Sequence, residues 1–242
     1  MKRSRVLAEV LLIFATFFLP GYAAQGLATG PGLLTPRPAT NWLMLQTIMT
    51  GIPQFLLMVY AATMAGAIPR ERLGFVRLHW RDALRSVVLT LCCFGVVAPF
   101  IALLVALPPE MSRALSRGYR WGLQGPAQIP LAILFGLTAG YREEFFFRSY
   151  LLGRMDDIGV PVPYAVAAST ALFCAGHVYE GALAVATTAA LGVLLSAAWL
   201  RLRRLHVVAI AHGAYNTLVL CFSLVMPHTL PEAAAIHIFF PR

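Results

Sequence analysis

The second half of the chain holds three polar constellations at helical spacing. Glu143 and Glu144 are adjacent, and Arg148 follows Glu144 by four residues. Phe173 and His177 are four apart, and so are His212 and Asn216. Side chains at i and i+4 lie on one helix face, so each pair presents a common front. Together the constellations supply two carboxylates, two imidazoles, an amide and a guanidinium. In a water-poor cavity that set can do hydrolysis. Glu144 and Arg148 share a face and can pair. Glu143 points about 100° away around the helix and is left for chemistry, as a general base that takes a proton from water. His177 could fix that water, directly or as a metal ligand. A peptide carbonyl under attack develops an oxyanion, for which His212 and the Asn216 amide are suitable donors.

Each constellation also has a plainer reading. The glutamates and arginines could mark a helix end meeting water. A histidine in a span is commonly a buried imidazole satisfied by a neighbouring carbonyl or hydroxyl. His212 and Asn216 could be a hydrogen-bonded packing pair. All three together are harder to explain as packing. A helical His-Glu-x-x-His zinc site and a Gly-x-Ser-x-Gly elbow are both absent from the sequence. Ser149 has no histidine placed nearby in sequence to activate it.

The elements that must position these residues are membrane helices. Of 242 residues, 59% are hydrophobic and 12% charged, and the mean hydropathy is +0.74. A soluble domain carries about 25% charged residues. Long apolar runs without alternating strand patterns predict an all-α, polytopic membrane bundle of about seven transmembrane helices. The expected spans are Val6–Ala24, Trp42–Ile68 (with Gly51 and Pro53 inside), Val87–Leu107, a run from Pro126 to the glutamates, Tyr164–Val178, Ala182–Leu200 and Val207–Met226. Residues 6–24 also carry features of a cleavable signal peptide, with Tyr22-Ala23-Ala24 at its end. Short interfacial segments are expected over 111–125 and after Pro227. His79 and Trp80 fall in the most basic loop, as a solvated histidine and an interfacial aromatic.

The net charge of +9 does not point to nucleic acid. Most basic residues are arginines between apolar runs, which predicts a cytoplasmic N-terminus with the 70–85 and 201–204 segments on the same side. Four cysteines, Cys92, Cys93, Cys174 and Cys221, lie in apolar runs without metal-site or disulfide spacing.

The motifs Glu143-Glu144-x-x-x-Arg148-x-x-Leu151, Phe173-x-x-x-His177 and His212-x-x-x-Asn216, in this order, resemble those of the CPBP family of CAAX prenyl proteases and bacteriocin-processing (Abi) proteins. The resemblance covers about residues 125–222, as a catalytic core within the single integral membrane domain expected over 1–242. It leaves residues 1–120 as helices of unassigned role. It implies endopeptidase activity at or within the bilayer on a membrane-associated protein or peptide, including prenylated CAAX substrates. By motif position, Glu143 and His177 would activate water, and His212 and Asn216 would hold the oxyanion. Glu144 and Arg148 would orient the site, with Phe173 in support. Zinc or another divalent metal, held by His177 and His212, and a metal-free glutamate mechanism both stay open. The compact loops favour a bacterial inner membrane. Two other classes fit the buried polar groups: a non-catalytic scaffold of the same fold, and an ion- or proton-coupled transporter.

Overall fold

A computed structural model of the chain describes residues 3–28, 40–65, 67–108, 110–111, 115 and 122–225. The described residues form helices and no strand. They are α1 (Arg3–Phe17), α2 (Leu19–Ala28), α3 (Thr40–Tyr60), α4 (Trp80–Ala106), α5 (Ile129–Glu144), α6 (Leu151–Asp157), α7 (Val162–Ala175), α8 (Ala182–Leu202) and α9 (Leu205–Phe222). A π-helical turn, Phe145–Tyr150, joins α5 to α6. The segment expected after Pro227 and most of the one over 111–125 lie outside the described residues.

The bundle is an integral membrane protein. Four helical stretches are long and apolar enough to cross a bilayer: Thr40–Met64, Trp80–Ala106, Ala182–Leu202 and Leu205–Phe222. Large apolar side chains such as Leu12, Met49, Leu56 and Leu91 face outward. Such a surface suits lipid. The other three expected spans are also helical but differ in form. The first is broken at Phe18 into α1 and α2. The run from Pro126 passes through α5, the π turn and α6, with charged residues inside it. The third, α7, has 14 residues and is about 21 Å long, short of a hydrocarbon core of about 30 Å.

Helix boundaries follow local chemistry. Pro130 and Pro163 stand in the first turns of α5 and α7, where a missing N–H costs nothing. Helix α4 starts seven residues earlier than hydropathy alone suggests. His79 is its N-cap: its ring accepts from the Arg81 N–H at 3.3 Å, and Asp82 accepts from the His79 N–H at 2.9 Å. The histidine read as merely solvated therefore has a capping role.

The most intimate contact is between α5 and α9. A Cβ on Gly136 would collide with the Gly213 carbonyl and Thr217, and one on Gly140 with the Ala209 carbonyl. The spacing Gly136-x-x-x-Gly140 gives α5 a smooth face, and Gly213 answers it from α9. Beside this seam lies an aromatic layer in which Phe145, Phe146, Phe147 and Tyr150 are buried. Phe18 packs against Phe146 and Phe147 at 4.7 and 5.1 Å between ring centroids.

Basic segments gather at one end of the bundle. Arg72 pairs with Asp157, and Arg154 reaches Asp157 at 3.1 Å and Glu9 at 2.5 Å. Arg204 binds Asp82 at 2.8 Å and the Arg77 carbonyl at 3.0 Å. The Leu205 N–H donates to the Gly74 carbonyl at 3.0 Å. The loop before α4, the end of α6 and the turn between α8 and α9 thus close the same end.

Candidate active site

Three segments converge on one cavity of about 530 Å³. Helix α5 delivers Glu143, the turn after α7 delivers His177, and α9 delivers His212 and Asn216. All four side chains line the cavity, with Tyr22, Arg142, Phe173 and Glu180. The closeness of Glu143 to His212 is a direct result of the glycine seam, since Gly140 and Gly213 each neighbour these residues on their own helices.

Glu144 and Arg148 are fully buried behind the cavity wall, and neither lines it. Arg148 Nη1 donates to Glu144 Oε1 at 3.0 Å. The same oxygen lies 2.7 Å from His212 Nδ1. A carboxylate that accepts from an arginine has no hydrogen to give, so the imidazole must donate through Nδ1–H. Nε2 is then the atom His212 presents to the cavity, 3.9 Å from Glu143 Oε2. Glu144 consequently orients an imidazole as well as pairing with arginine, a second partnership that sequence spacing does not reveal.

Glu143 is not unpaired. Arg142 Nη2 donates to its Oε1 at 3.0 Å, which leaves Oε2 on the His212 side. A neighbouring residue on a helix points elsewhere by default, so spacing gave no reason to expect this contact. The length of the arginine side chain permits it.

His177 stands outside the expected helix. Helix α7 ends at Ala175, and His177 occupies the turn before a short 3₁₀ segment, Val178–Glu180. The chain reverses at Gly181, whose φ of 101° favours glycine. His177 Nδ1 lies 3.0 Å from the Phe173 carbonyl. A carbonyl can only accept, so Nδ1 carries the hydrogen and the Nε2 lone pair remains for another partner. The Phe173 ring is wedged among the polar groups: its centroid lies 4.3 Å from the Arg148 guanidinium carbon, 4.9 Å from the His177 ring and 5.9 Å from the His212 ring. Asn216 makes no side-chain hydrogen bond to another described residue, so the packing pair with His212 is not formed.

No three His, Cys, Asp or Glu side chains among the described residues stand close enough to share one ion. His212 is anchored through Nδ1 and one Glu143 oxygen is taken by Arg142, which leaves His212 Nε2 and Glu143 Oε2 facing the cavity.

Arg142, Tyr22 and Glu180 line the site without having been singled out from the sequence. Arg142 had a signal in its position beside the glutamates. Tyr22 had none, because it arrives from a distant helix.

Residues 125–218 match a family model described as Rce1-like, type II CAAX prenyl endopeptidase. This is the family that the three motifs resemble, and the matched stretch contains all of them. The match supports a protease at the level of the family and spans less than half of the chain. Neither the curated proteins nor the solved structures provide a match to the chain.

Proposed function

We propose that this protein is an intramembrane endopeptidase that hydrolyses a peptide bond of a prenylated, CAAX-type membrane-associated protein or peptide. The observation that carries the reading is the approach of Glu143 Oε2 to His212 Nε2, at 3.9 Å, on the wall of a cavity shared with His177 and Asn216. In this mechanism Glu143 Oε2 takes a proton from a water held against His177 Nε2. The hydroxide attacks the scissile carbonyl carbon. The resulting oxyanion accepts from the Asn216 side-chain N–H and from His212 Nε2 when that ring is protonated. The C–N bond then breaks, and the proton held by Glu143 passes to the leaving amine. Glu144 and Arg148 act through His212, by fixing the ring.

The protein would work as one membrane domain with its basic end towards the cytoplasm, in a bacterial inner membrane. Its activity is measured on purified protein with peptides ending in a CAAX sequence, prenylated and unprenylated, and products are identified by mass. Wild type is expected to release the C-terminal tripeptide from the prenylated peptide. Glu143→Gln should cleave nothing while melting as wild type does. Full activity in Glu143→Gln would refute the general base. No cleavage of any peptide by wild type would favour the scaffold or transporter alternatives. Activity lost to a chelator and restored by zinc would assign the water's activation to a metal at His177 and His212.

A further inference from the structure

The helices before residue 125 lie outside the family-matched stretch, yet they reach the site through Arg142. The arginine's guanidinium is forked between two helices. Nη2 donates to Glu143 Oε1 at 3.0 Å on its own helix, and Nη1 donates to Gln54 Oε1 of α3 at 3.2 Å. Its carbon stands 5.3 Å from the Phe18 ring centroid, at the junction of α1 and α2. The Arg142 side chain is 18% exposed and that of Glu143 15%, so both are largely withdrawn from solvent. Both line the cavity.

A carboxylate on free torsions can turn either oxygen toward a water. A fixed guanidinium on Oε1 removes that freedom and leaves Oε2 facing His212 Nε2. The fork geometry of arginine makes such a clamp directional, which a lysine ammonium does not reproduce. The clamp is itself held in place by a hydrogen bond from one side and an aromatic face from the other. Both supports come from the unmatched half of the chain.

We propose that Arg142 is a positioning residue for Glu143, and that α3 and the α1–α2 junction set its geometry through Gln54 and Phe18. This rests on the hydrolytic reading of the site. It gives the N-terminal helices a defined part in it: they aim the base without touching the substrate's reacting atoms.

The test joins turnover to a measurement that needs none. Wild type, Arg142→Lys, Arg142→Gln, Gln54→Ala and Glu143→Gln are purified in detergent. The infrared carboxylate bands of Glu143 are isolated in each of these backgrounds as the difference between that protein and the same protein carrying Glu143→Gln. The constants kcat and KM are measured on the prenylated CAAX peptide. Arg142→Gln should shift the Glu143 bands and lower kcat on the order of 10²-fold, the scale of a misplaced catalytic group, with little change in KM. Arg142→Lys should recover part of both. Gln54→Ala should move both in the same direction by less. Bands in Arg142→Gln identical to wild type would overturn the proposal at any level of activity. If Arg142→Gln folds poorly, bands identical to wild type in both Arg142→Lys and Gln54→Ala would overturn it. Shifted bands in Arg142→Gln together with no cleavage of any peptide by wild type would instead leave the clamp standing and refute the protease reading.

Discussion

Glu144 Oε1 accepts from two donors at once, His212 Nδ1 at 2.7 Å and Arg148 Nη1 at 3.0 Å. One fully buried oxygen therefore joins α5, the π turn and α9. The pair of charges is compensated only while both are present. Removing one partner of a buried ion pair costs about 3–5 kcal/mol, because the other charge stays buried alone. Glu144→Gln is therefore expected to lower the melting temperature in detergent and to abolish cleavage together. Glu143→Gln, at the cavity wall, should abolish cleavage alone. A wild-type melting temperature in Glu144→Gln would show that this carboxylate does not tie the three elements together.

The glycine seam makes a separate prediction. A side chain at Gly140 would meet the Ala209 carbonyl and, at 2.9 Å, the Gly213 nitrogen. Backbone cannot step aside as a flexible side chain can. Gly140→Val should force α5 and α9 apart, costing about 1–3 kcal/mol as an overpacked contact. It should also separate Glu143 from His212 and lower kcat. Gly95, in α4, faces open space, and a Cβ added there would meet nothing within 4 Å. Gly95→Ala is the control, expected to be neutral or slightly stabilising. Equal melting temperatures and rates for the two variants would sink the idea that the seam sets the site.

Much of this site is legible in sequence because it rests on i, i+4 spacing. Glu144 with Arg148 and His212 with Asn216 on one wall follow from that single period, whereas His177 meets Phe173 from the turn beyond the end of α7. The contacts that spacing cannot supply run between helices. Glu144 to His212 needs the packing of α5 on α9. Its signal, Gly136-x-x-x-Gly140, stands in the sequence and was readable as a close-approach face. The Arg142–Glu143 contact runs against the rule that adjacent helical residues diverge. Helix ends were also hard to place. Hydropathy continues through Gly176 to Val178, but Ala175 ends α7 because His177 and the 3₁₀ turn redirect the chain to Gly181. Likewise, Arg81 and Arg85 look like loop residues by charge, although the His79 cap starts α4 before them.

Clustering of the basic segments predicts sidedness. Arg72 and Arg203 are both exposed at the end closed by the Asp157 and Asp82 ion pairs. Arginine-rich ends stay on the cytoplasmic side. Cysteines introduced at positions 72 and 203, in a background lacking the four native ones, should react with a membrane-impermeant thiol reagent only after the membrane is opened. Trp42, exposed at the start of α3, should label from outside when replaced by cysteine. Labelling of 72 or 203 in intact cells would reverse the orientation, and labelling of only one of them would contradict their shared end.

Asn216 offers the sharpest measure of the oxyanion role. It lies one turn beyond His212 on α9, lines the cavity, and spends its amide on no other described side chain. If the amide donates to the oxyanion, it acts mainly in the transition state. Loss of one such donor costs about 10²–10³ in rate. Asn216→Ala should therefore lower kcat by that order and leave KM and the melting temperature close to wild type. Asn216→Asp is the discriminating companion. It keeps the size but offers a carboxylate where charge develops, so it should be at least as damaging as alanine. A structural role predicts the reverse, with aspartate milder than alanine and both variants melting early. Kinetics and thermal unfolding of the two variants, measured on the same preparations, separate the two roles.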